Sequence, residues 1–115
     1  MQQPKHGNLL AQRFAMDAVR LLRPLVERIH RHDKSLADQL KRAASSVVLN
    51  LAEAAYNNAG HRRSRLESAR GSANEARAAL ALASAWGYIV DQQAAEIDAL
   101  YDRALATTYR LWVRA

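Results

Sequence analysis

Apolar side chains recur along this chain at steps of three and four residues, and short polar runs break the recurrence three times. Such steps return each apolar residue to one side of a helix, whereas a strand needs alternation, so four helices are predicted. The first runs from Leu9 to about Arg31, with Leu10, Phe14, Leu21, Leu25 and Ile29 on one face. Pro24 falls inside it and removes a backbone donor, so the helix should bend there, or end and restart. In the polar RHDKS that follows, Asp33 and Ser35 are both good N-cap residues. A second helix then runs from about Leu36 to Asn57, with Leu36, Leu40, Ala43, Val47, Leu51 and Ala54 as its stripe.

NNAGH breaks the pattern, because Asn57, Asn58 and Gly60 all tolerate the left-handed conformation that ends helices. The third helix starts at Asn58 or nearer Ser64, whose spacing from Glu67 is that of a capping box. Leu66, Ala69, Ala73, Ala76, Leu80, Ala83 and Gly87 then alternate steps of three and four. Small residues sustained at those positions favour tight packing in a left-handed bundle. Gly87 is placed to end this helix and Asp91 to cap a fourth, which carries Ile97, Tyr101, Ala104, Thr108 and Leu111 on one face. Short connections make successive helices antiparallel. The predicted fold is therefore all-α: an antiparallel, up-down-up-down, left-handed four-helix bundle over residues 9–115, behind a flexible polar leader at 1–8.

A chain of 115 residues suits one domain. Half of it is hydrophobic, but much of that fraction is Ala, with one Phe and two Trp. Alanine buries little area per residue, so a monomer gains little stability from its core, and self-association into a homo-oligomer is expected. The absence of cysteine excludes disulfides and thiolate metal sites and suits a cytoplasmic protein. The longest uncharged stretch, Ala78 to Val90, falls short of the roughly 20 apolar residues of a membrane span. No apolar segment of signal-peptide type follows the first basic residue, so no membrane role is expected.

Seventeen basic and eleven acidic side chains leave a net charge of +6, which favours an anionic partner, RNA or DNA. His61, Arg62, Arg63 and Arg65 form a basic cluster with Arg70 further along, and Lys41 and Arg42 are expected to add to the same surface. Arginine's planar fork suits phosphate, and clustered cations gain by displacing counterions from nucleic acid. The competing reading pairs these arginines with acids such as Glu67, or with a neighbouring subunit's fourth helix. That helix is net acidic, with Asp91, Glu96, Asp98 and Asp102 against Arg103, Arg110 and Arg114. No Glu-x-x-His pair, Gly-x-Ser-x-Gly turn or Gly-rich phosphate loop occurs, so no metal, cofactor or catalytic residue is assigned. Arg23 and His30 have roughly the spacing of an Arg-His pair in helical-bundle ribonucleases, although Pro24 falls between them.

The segments LADQLKRAASSVVLNLAEAA and ARGSANEARAALALASAWGYI carry a family resemblance. The matching positions are Leu36, Gln39, Arg42, Ala43, Ser46, Asn50, Ala52 and Glu53, then Ala69, Gly71, Ser72, Glu75, Leu80 and the turn Gly87-Tyr88-Ile89. Over roughly residues 9 to 90 the chain resembles the four-helix-bundle proteins encoded by intervening sequences within bacterial 23S ribosomal RNA genes. Their relatives include the accessory variability protein of diversity-generating retroelements. It departs from the family pattern at Ala54, where a glycine follows Asn-x-x-Glu. The resemblance implies a ring-like homopentamer, and its retroelement branch implies a basic protein that binds nucleic acid and a reverse transcriptase. It implies no catalytic residues.

Within SSVVLNLAEAAYNN, the stripe of Val47, Leu51 and Ala54 leaves Asn50 and Glu53 flanking the core, three residues apart. Ser72 and Glu75 repeat the spacing on the third helix. The expectation is a polar contact between the second and third helices that fixes their register. The leading functional expectation is a non-catalytic, oligomeric protein that binds nucleic acid or serves as an adaptor in a nucleoprotein complex. The alternatives are an interaction module that binds only protein, and a ribonuclease built on Arg23 and His30.

Overall fold

In the computed structural model, residues 6–56 and 58–115 are described, and four helices take up most of them: α1 His6–His32, α2 Lys34–Ala54, α3 Ala59–Ala85 and α4 Asp91–Arg114. No strand occurs among the described residues. Gly7 and Asn8, assigned above to the leader, belong to the first turn of α1, which begins at His6; the rest of that leader, residues 1–5, lies outside the described residues. Asn8 is fully buried there, and Gly7 lies so close to Leu111 that a Cβ would stand 2.8 Å from its side chain. Asn57, named above as the end of the second helix, lies outside the described residues.

The helix boundaries follow from local chemistry. Asp33 alone joins α1 to α2: its N–H donates to the Ile29 carbonyl at 2.7 Å, and its carboxylate accepts from the Leu36 N–H at 3.0 Å. It thereby terminates one helix and caps the next. Asn58 caps α3, accepting from His61 N–H at 3.2 Å, so Ser64 lies within the helix and forms no capping box. At the far end Gly87 takes φ +78°. Its N–H reaches the Ser84 carbonyl, and the Tyr88 N–H reaches that of Ala83, each at 2.9 Å. This pair of bonds needs a residue in the left-handed region, which glycine enters without a Cβ clash. Asp91 is not the cap of α4 but its first residue; Val90 is the cap and gives no side-chain bond, while Asp91 accepts from the Ser84 hydroxyl. Pro24 falls within α1, which continues as one helix on both sides of it.

Paired residues run in opposite order on neighbouring helices. Ser46 meets Ser72 and Asn50 meets Arg65 between α2 and α3; Arg77 meets Asp98 and Arg70 meets Tyr109 between α3 and α4. Arg28 of α1 reaches Gln93 at the start of α4, while Gly7 lies against Leu111 near its end. Each helix packs on its sequence neighbours and α1 also packs on α4, giving an all-α four-helix bundle that measures 43 × 22 × 20 Å.

The stripes predicted for α2 and α4 are buried at every position. Those of α3 are buried from Leu66 to Ala83. α1 differs. Its buried face is Ala11, Ala15, Ala18, Leu22, Leu25 and Ile29, whereas Leu21 is 44% exposed and Leu10 and Phe14 are half-buried. Leu10, Phe14 and Leu21 each precede a buried residue by one position, which is about 100° around a helix. The larger side chains thus flank a seam of alanines. More than half of the described buried apolar residues are alanine, and only close helix approach lets such small side chains touch.

Adding bulk to that seam should cost stability. Ala76→Leu is expected to destabilise the bundle by about 1–3 kcal/mol in urea unfolding, because the seam has no room for the added carbons. Tyr101 is the reverse case. Its ring is fully buried, its hydroxyl has no partner among the described residues, and burial raises its pKa well above the usual phenol value. Tyr101→Phe removes an unsatisfied polar group, so the same measurement should show no loss of stability.

Candidate nucleic-acid interface

The first turn of α3 carries no acidic residue, although a helix N-terminus is the positive end of the helix dipole. Arg62, Arg63 and Arg65 crowd this end, an arrangement that disfavours the helix itself. Their positions come from neighbouring helices, and each finds a different partner.

Arg62 does not belong to an exposed cationic surface, which corrects the sequence reading. It is buried, and its guanidinium donates to the Ala54 carbonyl at 2.8 Å. Burial lowers its pKa, since desolvation disfavours the charged form. The side chain closes the C-terminal end of α2, where the dipole favours a cation and the last carbonyls lack helical partners. Ala54 is the residue that departs from the family pattern, and here it ends the helix fully buried.

Arg65 turns toward α2. Its Nε lies 2.7 Å from the Glu53 carboxylate, and its Nη1 reaches the Asn50 amide oxygen at 3.4 Å. Asn50 in turn donates to the Ser46 carbonyl and hydroxyl at 2.9 and 3.0 Å, and the Ser46 hydroxyl bonds to that of Ser72 at 2.8 Å. Asn50, Glu53 and Ser72 therefore meet at the α2–α3 seam, with Arg65 as the partner that sequence reasoning did not supply. Glu75 takes no part; it is exposed, with no hydrogen bond or ion pair among the described residues. A cleft of about 740 Å³ opens beside this group, lined by Ala52, Glu53, Tyr56, His61, Ser64 and Arg65.

Arg63 and Arg70 turn the other way, toward α4. The Arg63 guanidinium carbon stands 4.3 Å from the Trp112 ring centre; that of Arg70 stands 5.0 Å from Trp112 and 5.1 Å from Tyr109. Tyr109 and Trp112 stack on each other with centroids 6.0 Å apart. Neither arginine forms a salt bridge among the described residues, and Glu67, between them in sequence, takes neither. A guanidinium held by a ring face keeps its N–H edges for an anion, whereas one clamped by a carboxylate does not. Arg77, further along α3, is of the second kind. Two bonds of 2.7 and 3.0 Å join it to Asp98, with Asp102 at 3.8 Å, and these acids raise its pKa.

Lys41 and Arg42 do not join the α3 cluster, which is a second correction. Lys41 lines a groove against α1 with Arg20, Arg23 and Val26, and Arg42 lies with Lys34, Ser35 and Asp38 near the start of α2. Both lie toward the N-terminal half of α2, whereas its C-terminal end meets Arg62. Arg23 and His30 are exposed on α1, and His30 lines a shallow cleft with Glu27, Arg31 and Asp38. Among the described residues no group of three His, Asp or Glu side chains gathers as metal ligands. Sequence reasoning missed Tyr109 and Trp112. The available signal was an aromatic pair three residues apart on α4, matched by Arg63 and Arg70 seven apart on α3.

The family model described as 23S rRNA-intervening sequence protein matches residues 9–109. A crystal structure is similar over 89% of this chain and 97% of its own, with a TM-score of 0.77 and 21% identity. It is of a protein with unknown function from the S23 ribosomal protein family of Bacteroides thetaiotaomicron VPI-5482, and the likeness is one of fold. Among curated proteins none matches.

The different surroundings of adjacent arginines separate in mutagenesis. Arg62→Ala leaves the Ala54 carbonyl without its donor and opens a gap beneath the α2–α3 turn, so a loss of about 1–3 kcal/mol is expected in chemical unfolding. Arg63→Ala, at an exposed position, should cost under about 1 kcal/mol in the same assay.

Proposed function

The chain belongs to the 23S rRNA-intervening sequence protein family, and we propose that within it this member is a non-catalytic, oligomeric protein that binds nucleic acid through the α3–α4 face. The observation that carries this reading is the state of Arg63 and Arg70. Of the arginines in the α3 cluster, these two are engaged by rings rather than by an acid or a carbonyl. Arg110 and Arg114 add charge along the same end of α4, and no acidic residue follows Asp102. The positive end of the α3 dipole reinforces the field.

A phosphate backbone held this way releases counterions, so affinity should fall steeply with salt. Anisotropy titrations of a labelled RNA and a labelled DNA between 50 and 200 mM salt test this, and no binding of either even at low salt would overturn it. Replacing both Arg63 and Arg70 by Ala should lower the salt slope by about one to two units, with no change in sequence preference.

Self-association draws support from a different observation. Leu49, Trp86, Val90 and Leu82 are each more than half exposed, which a monomer in water gains nothing from. The same side chains also favour the second reading, a module that binds only protein. Light scattering at micromolar concentration should give a multiple of the monomer mass; a monomer mass removes the oligomer from the proposal.

A further inference from the structure

Tyr109 and Trp112 contribute more to the α3–α4 face than a support for two arginines. Tyr109 is half exposed, although its ring is stacked on Trp112 and covered in part by Arg70. A ring serving only to join the helices would be buried between them, as Tyr101 is, about two turns toward the bundle centre. The join is made elsewhere, by the paired bonds of Arg77 to Asp98 and by the buried stripes. The Trp112 indole N–H beside Tyr109 is buried and finds no acceptor among the described residues, so the exposed part of the cluster is the Tyr109 ring. What remains is an aromatic surface at the edge of the bundle with two cations at its border and no carboxylate paired to either.

We propose that this cluster is a single-strand site, in which an unpaired base stacks on Tyr109 while the flanking phosphates take the free N–H edges of Arg63 and Arg70. The inference rests on the nucleic-acid reading above and names the form of nucleic acid taken. Bases in a duplex are stacked on both sides and offer no face to an external ring; an unpaired base does. Arginines already held over rings lose little freedom when a phosphate arrives, and the ring stack extends by one member without rearranging the helices. Stacking tolerates any base, so the site selects for strandedness and not for sequence.

The test uses the full chain and three labelled RNAs of one length: a single strand, the same strand in a duplex, and a strand with abasic sugars at its centre. The single strand should bind most tightly, with the abasic strand weaker by about tenfold. Tyr109→Ala should weaken the single strand by a similar factor and leave the duplex and the abasic strand unchanged; Tyr109→Phe, which keeps the ring, should bind as the parent does. Circular dichroism on each variant checks that the helices persist, and Tyr109→Leu supplies a second ring-free variant should the Ala form unfold. If Tyr109→Ala leaves single-strand affinity unaltered, or if the abasic strand binds as well as the intact one, the stacking site is overturned while the backbone-binding reading stands. If none of the three RNAs binds, both fall.

Discussion

Alanine contributes little buried area, so a core built mostly from it holds only when the helix backbones come close. That closeness governs what else fits between the helices. At the α2–α3 seam it admits two serine hydroxyls bonded to each other and an asparagine that turns back onto its own helix. Apart from Arg62, which is buried at the α2–α3 turn, the arginines named above on α3 lie at the flanks of the seam, where they meet what the adjacent helix offers: a carboxylate on α2 for Arg65, rings on α4 for Arg63 and Arg70. The polar surface of the molecule is in this sense a product of its small core.

The electrostatics of α3 follow from the same sorting. Three arginines within its first seven residues oppose the helix dipole, and only Arg62 and Arg65 are offset by contacts that also hold the fold together. The charge left on Arg63 and Arg70 has no structural counterpart among the described residues. Together with Arg110 and Arg114 it gives one end of the bundle a cationic character, while the acids of α4 lie toward the other end, where Arg77 takes Asp98 and Asp102.

How far the sequence reached depended on whether the deciding interaction lay within one helix. The stripes of α2, α3 and α4 were legible because Leu40, Val47, Leu66, Leu80 and Ile97 mark their faces strongly. In α1 Leu25 and Ile29 are buried as read, but the earlier part of the stripe was read one position off, because Leu10, Phe14 and Leu21 outweigh the alanines that do the packing there. Asp33 and Asn58 were visible as caps, since capping needs only short spacing. Nothing local separates Arg62 from Arg63. Their fates depend on where α2 ends and how α4 is rotated, which are matters of register between helices. For the same reason Lys41 and Arg42, close to the cluster in composition, belong to other surfaces.

The order of packing around the bundle also bears on how the chain reaches this state. Three of its four main helix pairs join segments adjacent in sequence, with Asp33 alone between the first pair and short connections between the others. Of these four, α1 against α4 is the pair that brings together distant parts of the chain. Loop-closure entropy is therefore small for every step but the last, and such a topology has little reason to fold slowly. The serine bridge of the α2–α3 hairpin and the Arg62 tie across its turn both lie within residues 34–85. Closing the ring is then one event, the docking of the chain's two ends, where Gly7 gives Leu111 room to approach.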